Sequence, residues 1–360
     1  MKWLASPLVR ALRDPRSMSA FDAIEWDLLV RQASSAGLLA RLRAQAVAFG
    51  IEPQFPTPVR RQMTAIATAV DKQTLAVHWE VKHIARALAD TGAPVVLLKG
   101  AAYAAAGLPA AVGRTFSDVD ILVPKATIAA VENALVLSGW ITGALDTYDQ
   151  RYYRRWMHEL PPMIHIWRRS PLDVHHNILP ETARIKTYPQ QIIAAALPLA
   201  GYEKMFVPSA VDQVLHSATH LFHEGEWEHG LRDLSDLDLL LRAYGASAEF
   251  WPALLARATE MNLTVPLGYA LRYTRRVLQT PLSDGLSIDL ANTPTRQKDF
   301  LFLNGLAAAH HSLRTKWTAS AQLMLYVRSH WLRMPLSLLA PHLLHKALPR
   351  RDQAESAAAA

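Results

Sequence analysis

Not one cysteine occurs in the 360 residues. Disulfides, zinc–thiolate sites, iron–sulfur clusters and a thiolate nucleophile are therefore excluded. Long apolar runs are missing too. No window offers about 20 uninterrupted apolar residues, so no membrane-spanning helix is expected. The nearest approach, residues 323–348, is broken by Arg328, His330, Arg333 and two prolines. The start of the chain, Met1 to Pro7, has no continuous apolar stretch, so no signal peptide is expected. Charged residues are sparse at 19%, against 51% apolar. That balance fits a folded chain and argues against a disordered one. A reducing cytoplasmic setting is the expected location. No internal repeat and no long low-complexity linker interrupts the sequence.

What is present is a moderately basic chain. Its formal net charge of +7 attracts phosphate-bearing ligands, nucleic acid or an anionic membrane surface, without choosing among them. Residues 21–43 and 59–90 carry apolar side chains at three- and four-residue spacing, among them Leu75, Val81, Ile84 and Leu88, and read as helices. Pro53, Pro56 and Pro58 separate the two runs. A short buried strand is expected over residues 95–98, then a helix from Gly100 that stops near Gly107 and Pro109. After a loop to Arg114 come a strand over residues 118–123 and an amphipathic helix over residues 127–138. Residues 163–167 and 172–179 read as two more strands. From about residue 189 the pattern is helical again.

The expected fold is α+β. A helical region covers residues 1–90, a small mixed-sheet core residues 91–200, and a helical domain residues 201–348. A disordered tail is expected over residues 349–360.

Asp118 and Asp120 are the most informative pair. One apolar residue separates them, and Ile121, Leu122 and Val123 follow. Side chains two apart on a strand share a face, with Cα atoms roughly 7 Å apart. Carboxylates held in this way repel each other unless a cation lies between them. Hard oxygen donors suit Mg²⁺, with Mn²⁺ as a substitute. Asp173 is the best candidate for a third acid, because on a strand it shares a face with His175 and Asn177. Glu159 and Asp146 are weaker rivals, since neither lies in as clear a strand. Lys99 and Gly100, at a strand-to-helix turn, suit a triphosphate through a point charge and close backbone approach. Arg114 is placed to assist from the loop.

Each feature has a plain alternative. An isolated Asp-x-Asp is common on solvated strand edges, Lys-Gly often marks only a turn, and His175 and His176 read as ordinary half-buried histidines. Weight comes from the order: strand, Lys-Gly, helix, Asp-x-Asp strand, helix, Asp-bearing strand.

That order resembles the uncharacterised bacterial nucleotidyltransferase family, within the nucleotidyltransferase superfamily of DNA polymerase β-type fold. The matching residues are Leu98, Lys99 and Gly100, then Arg114, then Ser117, Asp118 and Asp120, then Asp173 and His175. The likeness is clearest over residues 93–180. It continues more weakly over residues 211–241, where the family has a His-rich helix and a Leu/Asp-rich helix.

The resemblance implies metal-dependent transfer of a nucleoside monophosphate from an NTP, with ATP the expected donor. Asp118, Asp120 and Asp173 would be the catalytic residues and metal ligands. Lys99, Gly100, Arg114 and Ser117 would bind the nucleotide. Protein side chain, RNA end, sugar and small hydroxyl compound all stay open as acceptor. One departure concerns the phosphates: most of the superfamily has Gly-Ser or Gly-Gly after the first strand, and this chain has Lys99-Gly100-Ala101.

Two further readings stand beside this one. One is a catalytically inactive nucleotide-binding or scaffold protein on the same fold. The other is a His/Glu metal hydrolase, since His216, His220 and His223 share a helical face with Glu224, Glu226, Glu228 and His229 nearby. Arg232, Asp233 and Asp236 flank the stripe of Leu234, Leu237 and Leu241 and read as surface or inter-helix pairs of little individual weight. The alternative puts Arg232 or Asp236 near the nucleotide. Residues 150–156 mix cations with aromatics, as stacking segments do, and read first as a solvated stretch with tucked rings. Residues 316–351 are basic and amphipathic. They read as a docking helix, with peripheral contact at the inner membrane face as the alternative.

Overall fold

The computed structural model describes residues 1–143, 157–223, 225, 227–283 and 296–335. Four helices come first: α1 (Pro7–Arg13), α2 (Ala23–Ser35), α3 (Leu39–Ala48) and α4 (Thr57–Leu88). Asp22 opens α2 with a capping box. Its carboxylate accepts from Glu25 N, and the Glu25 carboxylate accepts from Asp22 N. Gly37, at φ 67°, ends the helix, and Leu38 N returns to Ala33 O at 2.8 Å. The single helix expected over residues 21–43 is therefore two. On α4, Val81, Ile84 and Leu88 are buried but Leu75 is exposed. Val77, four residues before Val81, takes the position on the buried stripe.

The central unit runs β1 (Val95–Leu97), α5 (Lys99–Ala105), β2 (Val119–Leu122), α6 (Ile128–Leu137), β3 (Trp140–Thr142), β4 (Met163–His165) and β5 (Pro171–His175). It continues with α7 (Pro189–Ala194), β6 (Leu197–Pro198) and β7 (Met205–Val207). The sheet order is β3-β4-β5-β2-β1-β7-β6. β2 lies at its centre, antiparallel to β1 and parallel to β5. Both β1 and β2 are buried along their whole length, which explains their apolar runs.

Two expectations are corrected here. β6 and β7 lie in the stretch read as helical from residue 189. A strand of three residues is too short to show a period, and β7 is positioned by parallel pairing with Val95 and Val96 of β1. β5 ends at His175, so Asn177 is not on its polar face. Asn177 Oδ1 accepts instead from Ile178 N and Thr187 Oγ1.

The remaining helices are α8 (Ala210–His223), α9 (Gly230–Tyr244), α10 (Phe250–Glu260), α11 (Thr264–Tyr273), α12 (Arg296–Leu306) and α13 (Thr318–Arg333). α8 packs against α9, α10 and α11. Leu234, Leu237 and Leu241 of α9 are fully buried, as the stripe requires. α13 docks on α12 through Ala321 and Leu325. Residues 150–156, Asp146 and everything after residue 335 lie outside the described residues. Among those described, no helix is long and apolar enough to cross a membrane. The architecture is α+β.

Candidate active site

Parallel pairing of β2 with β5 sets Asp120 opposite Asp173. In-register side chains on neighbouring strands share a face, about 4.8 Å apart. Asp118 joins them from the residue before β2. Carboxylate oxygens of Asp118, Asp120 and Asp173 all lie within 4.8 Å of one another. Asp120 is buried and the other two are half-buried. Ser117 Oγ donates to Asp118 Oδ1 at 2.9 Å.

The site treats its acids differently. Burial alone would raise the Asp120 pKa. Lys99 Nζ at 3.4 Å and His175 Nε2 at 3.0 Å from Oδ1 outweigh burial and hold the carboxyl far below the usual range. For Asp173, burial and then the charge of Asp120 push the carboxyl up to about 7. Mutual repulsion of this kind is what a bound cation relieves. The donor set is oxygen only, which fits Mg²⁺ or Mn²⁺.

His175 is more than a half-buried histidine. Its Nε2 faces Asp120, and its Nδ1 lies 3.1 Å from Glu159 Oε2. Burial would lower its pKa, but the bond to Asp120 and the charge of Glu159 raise it to about 8. The sequence signal was its place two residues after Asp173. Glu159 comes from a segment joined to β5 by an isolated bridge to His175, which has no periodicity to read.

Lys99 begins α5 at φ 44°, a left-handed conformation that is uncommon for a residue with a side chain. Non-glycine residues in this region tend to cluster at functional sites. Gly100 is explained by packing: a Cβ there would lie 2.5 Å from Arg114 Nη1. Arg114 itself is buried. Its Nε donates to Asp236 Oδ2 at 2.8 Å, and its Nη1 donates to Thr115 O at 3.1 Å. Arg41 Nη2, from α3, donates to Asp236 Oδ1 at 2.7 Å and to Ala110 O at 2.6 Å.

Asp236 thus makes inter-helix pairs, one of the two forms expected for it, but they are buried rather than of little weight. It lies on the side of α9 turned to the loop of Ala110 and Arg114, and it ties α3, α9 and that loop together. Such a pair is costly to break because each charge was taken out of water.

Lys99, Ser117, Asp118, Asp120, Arg114 and Arg232 face a cleft of about 490 Å³. That size is in the range of ligand sites. His220 and Gln322, from α8 and α13, and Trp227, from the segment between α8 and α9, line its C-terminal side. Both residues that the second reading of α9 put near a nucleotide, Arg232 and Asp236, line this cleft.

His216, His220 and His223 do not form a metal-binding group among the described residues. Burial and then the charge of Lys99 pull His216 down to about 3, so it is neutral. His220 instead lines the cleft. Two groups do converge: the three aspartates, and His158 with Glu159 and His175.

A family model described as uncharacterised nucleotidyltransferase matches residues 22–279. No curated protein and no solved structure matches the chain. The matched span contains every strand of the sheet, the three aspartates and the Lys99-Gly100 turn, and the chain belongs to this uncharacterised nucleotidyltransferase family.

Proposed function

We propose that the protein is a divalent-cation-dependent nucleotidyltransferase, moving a nucleoside monophosphate from an NTP to an acceptor hydroxyl and releasing pyrophosphate. The observation that carries this reading is the convergence of Asp118, Asp120 and Asp173 beside Lys99 at the centre of the sheet, from β2, β5 and the segments next to them. Family membership supports transferase chemistry.

Asp118, Asp120 and Asp173 would hold Mg²⁺, or Mn²⁺ in its place. When bound, the ion supplies neutralisation of the phosphate oxygens as charge builds on them. The chain's own residues do the rest. Lys99 and Arg232 bring positive charge to the triphosphate, and Ser117 borders it. Arg114, already matched by Asp236, supports the loop behind them. Asp173 takes the proton from the acceptor hydroxyl as that oxygen attacks the α-phosphorus. The bond between the α-phosphorus and the bridging oxygen breaks, and its electron pair leaves with pyrophosphate. ATP is the donor and the cytoplasm the location that fit this reading.

The test is incubation of the protein with each α-labelled NTP, Mg²⁺ and cell extract. Label should move from one NTP into a discrete fraction, which identifies the acceptor class. Binding of NTP with no transfer under Mg²⁺ or Mn²⁺ would favour the inactive nucleotide-binding reading.

A further inference from the structure

We infer that His158, Glu159 and His175 form a second cation site, for zinc or a similar borderline divalent ion, directly behind the aspartate cluster. One ligating atom from each of the three residues lies within 4.8 Å of the others. His158 and His175 are buried and Glu159 is half-buried. The two clusters differ in chemistry. The aspartates offer oxygen only, which selects a hard ion. The second group offers two imidazole nitrogens and one carboxylate, a donor set that suits Zn²⁺ and its neighbours in the first transition row.

A second observation concerns what lies behind the imidazole. A metal-binding histidine usually has its far nitrogen held by a carboxylate, which fixes the tautomer and aims the near nitrogen. His175 Nε2 is held by Asp120 at 3.0 Å, and Nδ1 is thereby turned to Glu159 Oε2 at 3.1 Å. The backbone makes the arrangement rigid. His176 N donates to His158 O at 2.8 Å, and Leu160 N donates to Val174 O at 2.9 Å. These bonds clamp the segment carrying His158 and Glu159 to the end of β5. The two imidazole rings lie 5.3 Å apart. An ion would take the place of the proton that Nδ1 now shares with Glu159. Through His175 it would also hold Asp120 in place, so the two sites meet at one hydrogen bond.

This inference does not depend on nucleotidyl transfer, because the donors are the same whatever the cleft does. The test uses the full chain carrying Asp118→Asn and Asp173→Asn, which removes the oxygen cluster and keeps Asp120. After chelation and exchange into metal-free buffer, the protein is titrated with Zn²⁺ and with Co²⁺. One ion per chain is expected, and the Co²⁺ form should show visible absorption bands of a four- or five-coordinate site with nitrogen ligands. In that background His158→Gln and Glu159→Gln should each weaken binding by at least about a hundredfold, the upper end of what losing a mere outer-shell partner costs. Circular dichroism checks that both variants stay folded. Absence of stoichiometric binding would overturn the site. Binding that neither substitution weakens would overturn it too, by placing the ion elsewhere.

Discussion

Asp173 stands opposite Asp120 in the parallel pairing of β5 with β2, yet the two carboxyls shift in opposite directions. Cations explain the difference. Lys99 and His175 contact the Asp120 carboxylate, whereas Asp173 is raised by burial and by the negative charge of Asp120.

The first expectation concerns pH and stability without metal. Asp173 moves from an ordinary value of 3.8 to about 7 on folding. The native chain therefore keeps a proton that the unfolded chain releases, and stability falls as pH rises across that window. His175 acts with the same sign. Its pKa rises from 6.5 to about 8, so its contribution is complete below pH 6.5 and lost as pH rises through 8. Asp120, with a lowered pKa, contributes fully above pH 3.8 and adds no slope here. His216, pulled down from 6.5 to about 3, acts with the opposite sign up to pH 6.5, so the Asp173 contribution is read as a difference: in chelator, the Tm of the native chain should fall relative to that of Asp173→Asn between pH 5 and pH 7. Calorimetric profiles of the two proteins that superimpose would refute the assignment.

His175→Gln keeps a donor near Asp120 and loses the grip of Glu159. Outer-shell changes of this kind typically cost 10- to 100-fold in metal affinity. Mn²⁺ binding followed by electron paramagnetic resonance should weaken by that order. An unchanged affinity would mean that Asp120 needs no support from His175.

Asp236→Asn leaves Arg41 and Arg114 buried beside a neutral amide. Removing one member of a buried ion pair costs about 3–5 kcal/mol. Urea unfolding should register a loss of that order. A change below about 1 kcal/mol, the range of exposed pairs, would show that water reaches the network.

Gly100→Ala places a methyl group 2.5 Å from Arg114 Nη1 and 3.1 Å from the Phe116 ring. The guanidinium cannot retreat without leaving Asp236. Overpacking of this kind costs about 1–3 kcal/mol, measurable in the same urea experiment. A neutral result would show that the loop of Arg114 yields freely.

The parts of the site that were legible in the sequence are local. Asp118 and Asp120 flank one residue of a buried strand, Lys99 and Gly100 join a strand to a helix, and Asp173 sits in a short alternating run. The resemblance implied that the three acids act together, but the parallel pairing of β2 with β5 that brings them to one face is seen only in the structure. What could not be read depends on contacts between distant segments. Spacing along α9 shows that Asp236 lies off the leucine stripe, but not that Arg41 and Arg114 wait for it there. Glu159 meets His175 across an isolated bridge that has no sequence period. β7 has three residues, and only pairing with β1 makes it a strand. The histidines of α8 follow a helical repeat that looks like a ligand set, yet His216 and His223 are buried while His220 lines the cleft.

The most direct measurement is transfer of α-labelled NMP, at saturating Mg²⁺, by the native protein and by Asp118→Asn, Asp120→Asn and Asp173→Asn. Each variant should lose about a thousandfold in rate, the equivalent of roughly 4 kcal/mol, while circular dichroism shows the fold unchanged. Transfer by Asp120→Asn or Asp173→Asn within tenfold of the native rate would contradict a three-carboxylate metal site.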